Sequence, residues 1–225
     1  MRGLFSNVVL IATLVPLQAC AQLTYSAKEI HGKIVDANTG QPLEGVNIVA
    51  QWKIDRMWVG DDKALLHVTE AVTDKDGNYS FPAWGPIMLP PRTDFGEGRD
   101  PLLSIFKSGH DVEFLDNGTI SDTRYRLTPL GDFKWNGKTI KLKRWVGGLE
   151  EYGRKVEFLA NELPSYTAQW RDNKEWRHFP KMLIALNGEY ARLKNLGVKT
   201  FSLPGLLRID QFEQEDQALL KRISR

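Results

Sequence analysis

Cysteine is nearly absent. The 225 residues contain one, Cys20, so no intrachain disulfide framework can hold the fold. Charge of one sign is lacking too: 30 basic against 28 acidic residues leave +2. That balance gives no electrostatic bias toward nucleic acid. Long apolar runs are missing as well, since Val8 to Val15 is too short to span a bilayer. No glycine-rich phosphate loop is present, and the serines lack a nucleophile-elbow pattern. What remains is 42% hydrophobic and 26% charged, ordinary for a globular protein. An apolar core must therefore carry the stability.

Residues 1–20 read as an address. Arg2 supplies a positive start, Val8 to Val15 has the length of a secretory h-region, and small or polar residues follow. The segment ends Leu17-Gln18-Ala19-Cys20, which resembles the lipobox of bacterial lipoproteins. The resemblance implies that Cys20 is lipidated and becomes the new N-terminus. Cleavage after Ala19 or Ala21 by an ordinary signal peptidase is the competing reading. Several acyl chains on one residue anchor stably where a single chain does not, at about 0.8 kcal/mol per buried CH₂. Ala21 rather than aspartate after the cysteine implies, by the same resemblance, the outer membrane. Residues 21–27 are then a tether.

From Lys28 the pattern becomes that of strands. Ile30, Gly32 and Ile34 alternate, with Val35 out of phase, and Asp36 to Pro42 is a turn cluster. Val46, Ile48 and Ala50 alternate again, and Val68 to Thr73 is a third strand. The turn Asp74-Lys75-Asp76-Gly77-Asn78 returns the chain through Tyr79-Ser80-Phe81. Leu102 to Phe106, Val112 to Leu115 and Thr139 to Leu142 complete about seven short strands, the mark of a sandwich or barrel. The stretches IHGKIVDANTGQPLEGVNIVA, TEAVTDKDGNYSF and LLSIFKSGHDVEF resemble, in that order, the carboxypeptidase regulatory-like domain. The resemblance covers residues 28–144. It implies a seven-stranded transthyretin-like, immunoglobulin-like β-sandwich, with Tyr79 and Phe81 turned inward. Such modules are non-catalytic, and some relatives bind carbohydrate. Ile34, Val46, Ile48, Tyr79, Phe81 and Ile105 are the expected core.

Residues 82–101 hold five prolines, which predicts a loop, since proline cannot serve a central strand. Within it, Trp84, Arg92 and Phe95 are candidates for a ligand or partner rim; packing of the loop's own apolar residues onto the sandwich is the alternative. Beyond residue 145 the period changes. Leu149, Tyr152, Val156, Leu159 and Leu163 share one helical face. Phe179-Pro180 opens a second helix, with Leu183, Leu186, Tyr190 and Leu193 as its stripe and Gly197 as its stop. Asp210-Gln211-Phe212-Glu213 has capping-box spacing for a third. These narrow stripes must pack on each other or on the sandwich. Between the first two helices, Trp170 and Trp176 are interleaved with basic residues, a pattern that suits sugars or single strands; a solvated connection with two anchoring tryptophans is the alternative. An exported location argues against nucleic acid.

The one enzyme-like pattern is His67-Val68-Thr69-Glu70 with a distant His178. It is similar to the zinc-ligand spacing of metallocarboxypeptidases. On a strand, residues i and i+3 point to opposite faces, and the chain lacks room for that family's catalytic domain. Asp74, Asp76 and Asn78 read as a hairpin turn rather than a calcium loop, because glycine comes too early and the closing glutamate is missing. The sequence therefore predicts a mainly β protein with a helical C-terminal region (residues 145–225). It predicts no catalytic residues, metal or cofactor, and an anchor at Cys20 in the bacterial envelope, where the chain is expected to dock another envelope protein; carbohydrate binding through the tryptophans is the alternative.

Overall fold

The computed structural model describes residues 24–56, 63–89, 93–94, 101–116, 133–163, 175–198 and 214–224. Three layers are stacked: a small outer sheet, a larger central sheet and a layer of helices. The outer sheet runs β10 (Thr139–Leu142), β2 (Ile30–Asp36), β5 (Asn78–Phe81), with β10 parallel and β5 antiparallel to β2. The central sheet runs β4 (Lys63–Val72), β3 (Asn47–Arg56), β8 (Leu102–Phe106), β9 (Glu113–Leu115), with the short β7 (Thr93–Asp94) also paired to β3. The helices are α1 (Leu149–Glu162), α2 (Pro180–Asn195) and α3 (Gln214–Ile223), with a 3-10 turn at Glu175–His178. The protein is thus mainly β with a helical C-terminal segment, and each of the seven sequence-predicted strands is present.

The central sheet is buried on both faces, and its sequence shows why. Ile48, Ala50, Trp52, Leu103 and Ile105 face the outer sheet and meet Ile34, Tyr79, Phe81 and Leu142. Val49, Val68 and Phe106 face the helices and meet Val156, Leu159, Leu183 and Leu186. A strand covered on both sides reads as a continuous apolar run, which explains Leu102-Leu103-Ser104-Ile105-Phe106. The predicted core residues Ile34, Val46, Ile48, Tyr79, Phe81 and Ile105 are all buried.

The turn motifs are explained by their hydrogen bonds. Asp36 accepts the backbone N–H of Asn38 and Thr39, each at 2.9 Å, and the Nε–H of Arg144 at 3.1 Å. Those donors hold its carboxyl well below the usual range, at about 2. The Thr73 hydroxyl donates to Leu43 O at 2.6 Å and accepts from Val46 N at 2.9 Å. It thereby ties the turn before β3 to the end of β4. Gly32 lies under the Tyr79 ring, where a Cβ would come within 2.7 Å of its hydroxyl oxygen. Gly77 has φ +77°, and a Cβ there would run into the Ile34 carbonyl oxygen. No side chain fits either place.

Two expectations need correcting. Thr24–Ala27, read from sequence as tether, forms strand β1, and Trp84–Met88, read as part of a loop, forms its partner β6. Together they prolong the β2–β5 ladder: Ile30 pairs Phe81, Ala27 pairs Trp84, and after a one-residue shift Thr24 pairs Met88. Proline is tolerated here because a two-stranded ribbon leaves each strand an edge that makes no ladder bonds. The third helix is described from Gln214, so its predicted capping box at residues 210–213 lies outside the described residues.

Candidate binding surface

Polar contacts fix the helical layer to the central sheet. Glu70, on the helix-facing side of β4, accepts the backbone N–H of Lys181 and Met182, each at 3.0 Å. It caps the N-terminus of α2, where Pro180 already lacks a donor. Burial raises the Glu70 carboxyl above its ordinary value, and the two N–H donors oppose that. Gln51 Nε2 donates to Glu162 O at 3.2 Å, which takes up a carbonyl in the last turn of α1. Glu189 on α2 is 2% exposed. It accepts the Ser108 hydroxyl at 2.5 Å and the Arg192 guanidinium at 2.5–3.1 Å, and it is hydrogen-bonded to the Tyr152 hydroxyl. That hydroxyl in turn accepts Gly109 N–H at 2.9 Å. Burial pushes the Glu189 carboxyl up, but the Arg192, Ser108 and Tyr152 donors more than reverse this, so it lies below its ordinary value.

The residues singled out by sequence fare differently. Trp84 is half-buried: its ring packs 5.2 Å from Trp52, edge-on, 5.3 Å from Tyr25 and 4.4 Å from His67. Trp176 is 2% exposed and belongs to the helical core, so it offers no ring to a ligand. This corrects its place in the predicted surface: the 3-10 turn before α2 carries it inward, against the helices. Cys20, Arg92, Phe95 and Trp170 lie outside the described residues. His67 and Glu70 diverge as strand geometry predicts. His67 sits in the tryptophan cluster, its pKa lowered by burial and by His178, while both Glu70 oxygens are engaged at α2. Asp74 forms the expected hairpin turn, accepting Asp76 N–H at 2.9 Å and Asn78 N–H at 2.8 Å.

An aromatic cleft that sequence reasoning missed opens between β9 and α1. It measures about 380 Å³ and is lined by Val112, Phe114, Glu151, Arg154, Lys155 and Phe158. Phe158 is 56% exposed, and its ring meets half-buried Phe114 edge to face, at 5.5 Å and 82°. Lys155 is held in place by Asp111 at 2.6 Å and by the Trp145 ring, whose centroid lies 4.9 Å away. Strand β9 ends the central sheet, and among the described residues only β8 pairs with it. A second opening, of about 560 Å³ between α2 and α3, has no aromatic lining. The missed signal was local. Phe158 falls half a turn away from the stripe of Leu149, Tyr152, Val156 and Leu159, so a large aromatic stands on a face that should be polar.

No family model matches the chain, and no curated protein matches it. Among solved structures, a 9R-lipoxygenase from Cyanothece PCC8801 aligns at 14% identity with a TM-score of 0.26. The alignment covers 89% of this chain and 28% of that one. So low a score carries no argument about fold or chemistry.

Proposed function

We propose that the chain is a non-catalytic envelope lipoprotein, anchored at Cys20 in the outer membrane. In this reading its β-sandwich is a carboxypeptidase regulatory-like, immunoglobulin-like module that docks another envelope protein through the β9–α1 cleft. The observation that carries the docking reading is Phe158. It is exposed on the outer side of α1 and packs edge-to-face on Phe114 beside the terminal strand of a sheet. Aromatic anchors in a pocket with a charged rim suit protein recognition. The module reading draws on the motif order and on the first and last sandwich strands, β2 and β10, pairing in parallel. Among the described residues no helix is long and apolar enough to cross a membrane.

Carbohydrate binding is the less favoured reading. Stacking on sugar rings wants coplanar exposed aromatics, whereas Phe114 and Phe158 stand at 82° and Trp176 is buried. The test is a photo-crosslinking amino acid at position 158 in the native membrane, followed by identification of the adduct. A protein adduct that Phe114→Ala suppresses supports docking. No protein adduct, together with retention on a polysaccharide column that Trp84→Ala abolishes, favours the carbohydrate reading instead.

A further inference from the structure

The place of the ribbon relative to Cys20 says which end of the module meets the membrane. Three residues separate Cys20 from Thr24, where β1 begins. At full extension of about 3.3–3.6 Å per residue, Thr24 lies within about 14 Å of the anchor residue. Thr24 pairs with Met88 at the tip of the β1–β6 ribbon. The opposite end of the same ladder is the Asp74–Gly77 turn, adjoining Lys33–Asn78. Lys33 lies nine positions beyond Thr24, which at about 3.3 Å per position puts that turn up to roughly 30 Å further away.

The ribbon's outward face has a second feature. Tyr25, Ala27 and Ile87 turn inward onto the sandwich, while Thr24, Ser26, Pro86 and Met88 are exposed. None of these four is charged, in a chain in which 26% of residues are. Met88 is 61% exposed. A face without charges loses little hydration energy on approaching lipid, and a flexible apolar side chain at its tip gains from burial in the headgroup region.

We propose that the uncharged face Thr24, Ser26, Pro86 and Met88 is the surface on which the anchored module rests against the phospholipid bilayer. This rests on the reading of Cys20 as the lipid anchor. The module then stands with the Asp74–Gly77 turn pointing away from the membrane. Purified full-length lipoprotein, carrying a single added cysteine at Met88→Cys or Lys75→Cys, is labelled with a fluorophore. It is then reconstituted into vesicles of phosphatidylethanolamine and phosphatidylglycerol that contain a headgroup nitroxide quencher. Both positions are exposed, and in this reading the lipid on the Cys20 sulfur keeps that thiol from being labelled. The expected result is flotation with the vesicles and several-fold stronger quenching at position 88 than at 75. Flotation with equal quenching at the two sites overturns the orientation and leaves the anchor standing. Failure to float, matching a Cys20→Ser control, overturns the anchor and the orientation with it.

Discussion

Glu189 is the buried charge on which the docking of α2 depends, and its removal has a calculable cost. The carboxylate is 2% exposed and joins Ser108 of the β8–β9 turn, Tyr152 of α1 and Arg192 of its own helix. Glu189→Ala strands these donors around a cavity. Breaking a fully buried ion pair costs about 3–5 kcal/mol. Arg192, however, keeps 42% of its side chain in solvent and rehydrates, which places the loss toward about 3 kcal/mol. Glu189→Gln retains the shape and one acceptor but loses the charge, so about 1.5–3 kcal/mol is expected, the range for a hydrogen bond to a charged group. Urea unfolding followed by tryptophan fluorescence reads both, with the m-value unchanged. A double-mutant cycle with Ser108→Ala isolates the link between turn and helix, with a coupling of about 0.5–3 kcal/mol expected for contacting residues. A Glu189→Gln loss within about 0.5 kcal/mol, as at an ordinary surface site, would falsify the view that this carboxylate holds the helical layer to the sheet. The pH dependence has a definite sign. The folded carboxyl lies below its unfolded value of 4.5, so its stabilisation is present above that pH and lost as the pH falls below it. Glu189→Gln should flatten that part of the profile.

Ile48 is fully buried between the two sheets, and Ile48→Ala should cost about 2–5 kcal/mol in chemical denaturation; a change near zero would remove it from the core. Glu70→Ala leaves the Lys181 and Met182 N–H groups without their acceptor. It should cost about 0.5–2 kcal/mol and speed amide exchange in the first turn of α2, with unchanged exchange refuting the cap. Asp36, at about 2 when folded against an ordinary 3.8, contributes stability above pH 3.8 that is lost as the pH falls toward 2. Asp36→Asn should therefore shrink the loss of stability over that window in an acid titration, whereas an unaltered acid limb would show that the Thr39, Asn38 and Arg144 contacts do not form.

Local chemistry makes much of this fold legible in the amino-acid order. Alternation at Ile30–Ile34 and Val46–Ala50, glycine at 32 and 77, and the Asp36 and Asp74 turns each express a constraint between near neighbours. The α1 and α2 stripes are likewise legible, since a helix repeats its buried face every three to four residues. The β1–β6 ribbon is not. Its strands are short, one contains Pro86, and they exist only because the neighbouring strands β2 and β5, far from each other in the sequence, pair and bring them side by side. The extension of β3 through Arg56 and of β4 back to Lys63 escapes a sequence reading for the same reason, because each strand supports the other.

The candidate surface divides along the same line. Sequence alone determined a β-rich first half and a helical C-terminal segment, because periodicity and turn residues act over a few positions. Which aromatics face water was decided only by tertiary structure. Trp84 and Trp176 look alike in sequence to an exposed ligand platform, yet one is half-buried against Trp52 and His67 and the other lies in the helical core. Phe158, unremarked in sequence, is left exposed because α1 turns its buried face to the sheet and the opposite side outward. Exposure is a property of what packs against a residue, and for these residues the partners lie tens of positions away in the chain.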